Sequence, residues 1–134
     1  APNAVVNRLG VLYARYGLDD RAQTEFERVV RASEHVPALV NLGNIYFLRG
    51  DMRQALVHYE RAQRQDPAHP GAVLGVARVN HGLENYGSAR EAYARLRQLA
   101  PEIAARFAYL DLRGEEAARA AEATQVKEVV LWQE

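Results

Sequence analysis

Apolar positions in this chain fall into short stripes at helical spacing. Leu39, Leu42, Gly43 and Tyr46 recur at i, i+3, i+4 and i+7, which places them on one helix face. Gly50-Asp51 then breaks the stripe, since Gly50 suits a left-handed helix end and Asp51 a helix N-cap. A second stripe, Ala55, Tyr59 and Ala62, stops at Asp66-Pro67, where proline disfavours helix for the residue before it. The same order stands earlier in the chain as Leu9-Gly10, Tyr13, Gly17, Ala22 and Phe26, 33 residues ahead of Leu42-Gly43, Tyr46, Gly50, Ala55 and Tyr59. It returns 34 residues further on as Val76-Ala77, Ala89 and Tyr93, with Asn85 as the expected N-cap, and Pro67 and Pro101 are again 34 apart. Each copy therefore predicts two helices. Gly10, Gly43 and Ala77 let a partner helix approach, Ala22, Ala55 and Ala89 do so from the other side, and Phe26, Tyr59 and Tyr93 fill the space between pairs. One such pair cannot bury both of its faces, so the copies must stack.

The segment Asn41 to Pro67, NLGNIYFLRGDMRQALVHYERAQRQDP, closely resembles a tetratricopeptide repeat. In that family's order of large residue, Leu, Gly or Ala, Tyr, Ala, aromatic, Ala and Pro, the second copy supplies Leu39, Leu42, Gly43, Tyr46, Ala55, Tyr59, Ala62 and Pro67. The first copy supplies Val6, Leu9, Gly10, Tyr13, Ala22 and Phe26, and departs at Val29 and Glu34. The third supplies Val73, Val76, Ala77, Ala89, Tyr93, Leu96 and Pro101, with Asn80 in place of Tyr, a change expected to shorten its first helix toward Gly82. The resemblance implies an all-α, right-handed superhelical solenoid of antiparallel helix pairs. One domain would span residues 1–134, with repeats at about 3–36, 36–69 and 70–103 and a degenerate fourth pair or cap over 104–134.

In that last region Glu102 to Leu112 reads as a helix with Ile103, Phe107 and Leu110 on one face, Arg113-Gly114 as a turn, and alanine-rich Glu115 to Thr124 as a helix. The apolar tail Val126 to Trp132 is expected to cap the last repeat. Its alternatives are a segment docking elsewhere, such as a neighbour's groove, and a chain cut before a further domain.

Composition narrows the function. The 134 residues hold 17 basic and 17 acidic side chains, so the formal charge is zero, which argues against nucleic-acid binding and against a polybasic membrane patch. No apolar run approaches the roughly 18 residues of a membrane span, so no direct membrane insertion is expected, and Ala1 opens no charged-then-apolar leader. Hydrophobic residues, at 49%, suffice for a core. Cysteine is absent, which removes disulfides, thiolate catalysis and Cys-based zinc sites. Lys127 is the single lysine; the arginine bias and lack of cysteine fit a bacterial source, in cytoplasm or periplasm.

No catalytic or metal site and no cofactor is expected. Gly71 and Gly75 lack the Lys-Ser/Thr of a phosphate loop. His35, His58, His69 and His81 form no i, i+4 pair and read as solvated residues, Glu115 and Glu116 suit a helix start, and Ser88 suits a turn.

The family resemblance implies a concave groove lined by first helices that receives a peptide or helix of a partner protein. The matching positions are Ala4, Asn7, Arg8, Val11, Ala14 and Arg15; Pro37, Val40, Asn41, Asn44, Phe47 and Leu48; and Gly71, Leu74, Gly75, Arg78, His81 and Gly82. From these the candidate site is Asn7, Arg8, Val11, Val40, Asn41, Asn44, Phe47, Leu74, Arg78 and His81. Asn41 and Asn44 lie one turn apart and can each donate to and accept from a peptide backbone. Arg8 and Arg78 offer donors for a carboxylate or carbonyls, the apolar members offer contact area, and Gly71, Gly75 and Gly82 leave room. The alternative is that the amides bond only locally. The clamp by which some family members hold doubly acidic chaperone tails would fall at Asn7, Val11, Asn41, Gly71 and Gly75, where only Asn41 matches, so such a tail is not the expected partner. The reading is a non-catalytic interaction module and adaptor in a multiprotein assembly. A domain that self-assembles through its ends or tail, and a regulatory or targeting segment of a longer enzyme, are the alternatives.

Overall fold

A computed structural model describes residues 2–134. The helices are α1 (Asn3–Arg15), α2 (Asp19–Ala32), α3 (Val36–Leu48), α4 (Met52–Gln65), α5 (Pro70–Gly82), α6 (Tyr86–Leu99), α7 (Pro101–Arg106) and α8 (Gly114–Thr124), with a 3-10 turn at Ala108–Asp111. Consecutive helices pack as pairs, and α2 lies on α3, α4 on α5 and α6 on α7. The first helices also touch one another, α1 with α3 and α3 with α5, and so form one layer of an all-α solenoid.

The turn inside each pair is built alike. The amides of Leu18, Asp51 and Asn85 donate to the carbonyls of Tyr13, Tyr46 and Asn80 at 2.9, 2.9 and 2.8 Å, the long bond of a Schellman ending. That ending needs a left-handed residue, supplied by Gly17 (φ 75), Gly50 (φ 80) and, in the third pair, Glu84 (φ 63). The Asp51 carboxylate caps Gln54 N at 3.2 Å. Asn85 holds the equivalent place without a side-chain cap. Helix α5 runs 13 residues, as do α1 and α3, so Asn80 does not shorten it. The Asn80 amide instead donates to the Val76 carbonyl, 2.9 Å away, and keeps its side chain against its own helix.

The small residues face rings. A Cβ on Gly10 would lie 2.5 Å from the Phe26 ring, and one on Gly43 2.5 Å from that of Tyr59. Gly75 meets the other side of Tyr59, so this ring wedges between the second and third pairs. Gly75 therefore serves the joint between repeats, and it also borders the small void between Arg78 and Leu131. The first copy's departures are absorbed: Val29 is buried with Val6 and Ala38, and Glu34 pairs with Arg61 at 2.5 Å across to α4. That hydrogen bond holds the Glu34 carboxyl below its ordinary range.

The fourth pair is irregular. Residues 102–112 do not form one helix, because Phe107 leaves helical geometry (φ −121, ψ 34) and the chain tightens into the 3-10 turn. The break lets Phe107 and Leu110 both bury fully against Tyr93 and Leu96. The Tyr93 hydroxyl donates to the Ala104 carbonyl at 2.8 Å. Among the described residues no helix is long and apolar enough to cross a membrane.

The histidines are all half-buried, in contrast to the solvated residues expected. His58 stacks on Tyr46 (ring centroids 5.2 Å apart) and bonds the Gln54 carbonyl. His69 accepts the Ala72 amide at 3.2 Å and so caps α5. His35 Nε2 is buried without a partner. Burial pushes all three below the ordinary histidine value.

Candidate peptide-binding groove

Four polar side chains on the first-helix layer are almost wholly buried: Asn7, Asn41, Asn44 and Arg78. Burial of amides and a guanidinium requires partners, and these come mainly from the end of the chain. After α8, Gln125 adopts a left-handed conformation (φ 56) and turns residues 126–134 back along the concave face. Val126 is buried against the last pair, with Val129 and Leu131 beside it. It then continues across the second and first pairs until Trp132 stacks on Phe26, ring centroids 6.2 Å apart.

The grip falls on the tail's backbone, from residue 129 onward at alternate residues. The Gln133 carbonyl accepts from Asn7 Nδ2 and Asn41 Nδ2, both at 2.8 Å, and the Gln133 amide donates to Asn41 Oδ1 at 2.8 Å. Asn41 Nδ2 also donates to Asn7 Oδ1 at 2.9 Å, which uses all the donors of Asn41. The Leu131 carbonyl accepts from Asn44 Nδ2 at 3.1 Å. The carbonyls of Val126, Lys127 and Val129 accept from Arg78, the first two at 3.0 and 3.3 Å. Carbonyls of residues 129, 131 and 133 share one edge of an extended chain. The amides and guanidinium on α1, α3 and α5 thus act as a neighbouring strand would.

Supporting contacts fix these donors. The buried Tyr59 hydroxyl donates to Asn44 Oδ1 at 2.5 Å, which turns the Asn44 NH2 toward the tail. Burial pushes the Tyr59 phenol's pKa up, so it stays a donor. The Arg78 guanidinium lies 4.3 Å from the Phe47 ring centroid and 5.0 Å from that of Phe107. None of its hydrogen bonds goes to a carboxylate; ring faces and carbonyl dipoles hold its charge. Gly71 leaves space for the Gln133 side chain, whose amide lies 3.0 Å from where a Cβ would stand. The cover is close: a void of only about 10 Å³ remains among Asn44, Tyr59, Arg78 and Leu131.

Of the ten candidates, Asn7, Asn41, Asn44 and Arg78 converge on the tail, and Phe47 supports Arg78. Val40 is buried in a joint between helices, whereas Leu74 is buried in the cluster that holds Val126 and Leu131, and Val11 in the cluster on which Trp132 packs. Arg8 is exposed and makes no hydrogen bond to the tail. His81 bonds the Leu112 carbonyl at 2.8 Å and sits edge-on to Tyr86 and Tyr109, away from the tail. It lines a cleft of about 1150 Å³ between the α3 and α5 ends and α8, which Phe47, Arg78 and the tail residue Lys127 also border. Sequence reasoning missed Trp132 and Gln133 as occupants of their own chain's groove, Tyr59 as the group that orients Asn44, and Gly71 as space for a side chain. The apolar run Val129 to Trp132 beyond the last helix was the available signal.

The comparisons agree with this architecture. Residues 36–69 match the tetratricopeptide repeat family model. The first tetratricopeptide domain of Spaghetti (RPAP3), solved bound to the HSP90 peptide SRMEEVD, superposes with a TM-score of 0.70 at 17% identity, over 92% of this chain and 90% of that one. The chain is also 31% identical over 102 residues to the protein CTR9 homolog of Arabidopsis thaliana. That match covers 75% of this chain and 9% of the relative's length. Helix pairs of the matched kind stand on both sides of residues 36–69. The chain thus carries a tetratricopeptide repeat at residues 36–69, within an all-α, right-handed superhelical solenoid of antiparallel helix pairs.

Proposed function

We propose that this domain is a non-catalytic interaction module that holds an extended segment of a partner protein in its concave groove. The observation that carries the reading is the backbone-directed grip of Asn7, Asn41, Asn44 and Arg78 on residues 126–133. Bonds to main-chain carbonyls accept many sequences, and the ring of Phe26 adds a preference for a large apolar side chain. The Spaghetti domain with its HSP90 peptide supports a peptide ligand for this fold. The two-carboxylate clamp is nevertheless missing: Asn7, Val11, Gly71 and Gly75 stand at its positions, so a doubly acidic terminus is not the ligand favoured here.

The test uses the full chain carrying Trp132→Ala, which loosens the tail, and a fluorescein-labelled peptide of sequence Val126 to Glu134 as probe. Binding in the micromolar range is expected, because the peptide must be ordered. Adding Asn41→Ala and Asn44→Ala should weaken it tenfold or more at unchanged helicity. Equal affinity with and without the two asparagines overturns the groove reading.

A further inference from the structure

We infer that residues 126–134 are a displaceable, built-in ligand: they occlude the groove in the resting molecule, and a partner's extended segment with the same backbone frame competes with them. This rests on the groove reading above and adds its regulation and the form of its ligand.

Three observations point the same way. First, the surface beneath the tail is mixed, with four buried polar side chains between the apolar contacts of Val126, Val129, Leu131 and Trp132. A permanent wall of the core would be apolar, as the joints between repeats are. Asn7, Asn41, Asn44 and Arg78 instead find partners in the tail when covered and would find them in water when bare. The surface therefore tolerates both states. Second, the tail is held lightly as structure. It forms no helix or strand, Val129 to Gln133 are all half-exposed, and of its own turns it shows the Val129 N to Val126 O bond at 3.1 Å. Third, it leaves α8 at a single left-handed non-glycine residue, Gln125. A change at that residue would lift the tail off the face, with Val126 the one buried side chain it withdraws from the last pair.

The template for the competing segment follows from the grip. It is extended and runs from the third pair toward the first. It presents carbonyls at alternate residues to Arg78, Asn44 and Asn41, and a large apolar ring just before the residue that both donates to and accepts from Asn41. Attachment to the chain gives the tail an effective concentration on the order of millimolar. A free segment of micromolar intrinsic affinity is then held off until the tail is weakened or the partner binds more tightly.

The experiment titrates the labelled Val126 to Glu134 peptide against three full-length chains: the parent, Trp132→Ala and Gln133→Pro. Gln133→Pro removes the amide that donates to Asn41 and leaves the apolar joints between repeats untouched, so it guards against a folding defect in Trp132→Ala. Both variants should bind the peptide at least tenfold more tightly than the parent. In the parent, emission from Trp132, the single tryptophan of the chain, should move to longer wavelength as an excess of unlabelled peptide with Phe in place of its tryptophan displaces the tail. Equal affinity in all three chains overturns the occlusion while leaving the groove reading intact, and loss of dependence on Asn41 and Asn44 overturns that reading instead. A parent that sediments as a dimer, with Gln133→Pro monomeric, would seat the tail in a second copy's groove and overturn the intrachain form.

Discussion

Two interfaces meet in this molecule, and they are built on opposite principles. The joints between helix pairs are apolar and fitted by shape. Tyr59 lies between Gly43 and Gly75, Phe26 faces Gly10, and Ala22, Ala55 and Ala89 are fully buried. The interface between tail and groove is joined by at least six side-chain bonds to backbone groups, interleaved with apolar contacts at Val126, Val129, Leu131 and Trp132. Exposing the first leaves apolar surface in water. Exposing the second bares amides and a guanidinium that water can satisfy, together with the smaller apolar area under Val126, Leu131 and Trp132. The same chain thus keeps one surface that must stay closed and one that can open.

Tyr59 belongs to both interfaces, and replacing it separates them. Tyr59→Ala removes a fully buried ring from between two repeats and should lower the unfolding free energy by about 3–5 kcal/mol. Tyr59→Phe keeps the ring and removes the hydroxyl from Asn44, so it should cost about 1 kcal/mol or less and chiefly loosen the tail. Denaturant unfolding reads the first effect, and Trp132 emission under native conditions reads the second. If Tyr59→Phe destabilises as much as Tyr59→Ala, the ring is not the wedge its position suggests. The next largest effect concerns a closed joint alone. Ala55→Leu should cost about 1–3 kcal/mol by overpacking, with one cooperative transition at a lower midpoint. A midpoint equal to the parent's would contradict the repeat frame.

How legible each interface was in the sequence follows from the same contrast. The joints need glycine, alanine and rings in fixed phase, and that phase is visible as the 33- and 34-residue recurrence of Gly10, Ala22 and Phe26. The polar ladder was legible as well, because Asn41 and Asn44 lie one turn apart on a first helix and Asn7 and Arg78 follow from the repeat. Position on the inner helix does not reveal what covers a side chain: neighbouring helices close over Val40, while Leu74 and Val11 lie in clusters that the tail joins. The tail's path carries no periodicity. An extended segment held through its backbone leaves little mark in its side chains, and only Trp132 hints at a pocket. Phe107 broke its helix for a tertiary reason, the burial of Leu110 beside it, which local pattern does not contain.

The smallest effect expected is on pH, and it too should divide the two interfaces. His35, His58 and His69 lie in or beside the joints, and burial holds each below the ordinary histidine value of 6.5. A group whose folded pKa is depressed binds its proton more readily in the unfolded chain. Its stabilising contribution is full above pH 6.5, the unfolded value, and is lost as pH falls from there toward the folded one. For His69 the cause has a second face: Nδ1 accepts the Ala72 amide, and a protonated ring could no longer cap α5 there. The thermal midpoint should therefore decline on acidification below pH 6.5, and His69→Asn, which keeps an acceptor at the cap without a titrating ring, should flatten part of that decline. The tail is held by amides, a guanidinium and backbone carbonyls, so its Trp132 emission at a temperature where the repeats stay folded should not follow the same curve. A midpoint that His69→Asn leaves as steeply pH-dependent as the parent's would remove His69 from the account. A Trp132 signal that tracks the midpoint with pH would show that the two interfaces open together.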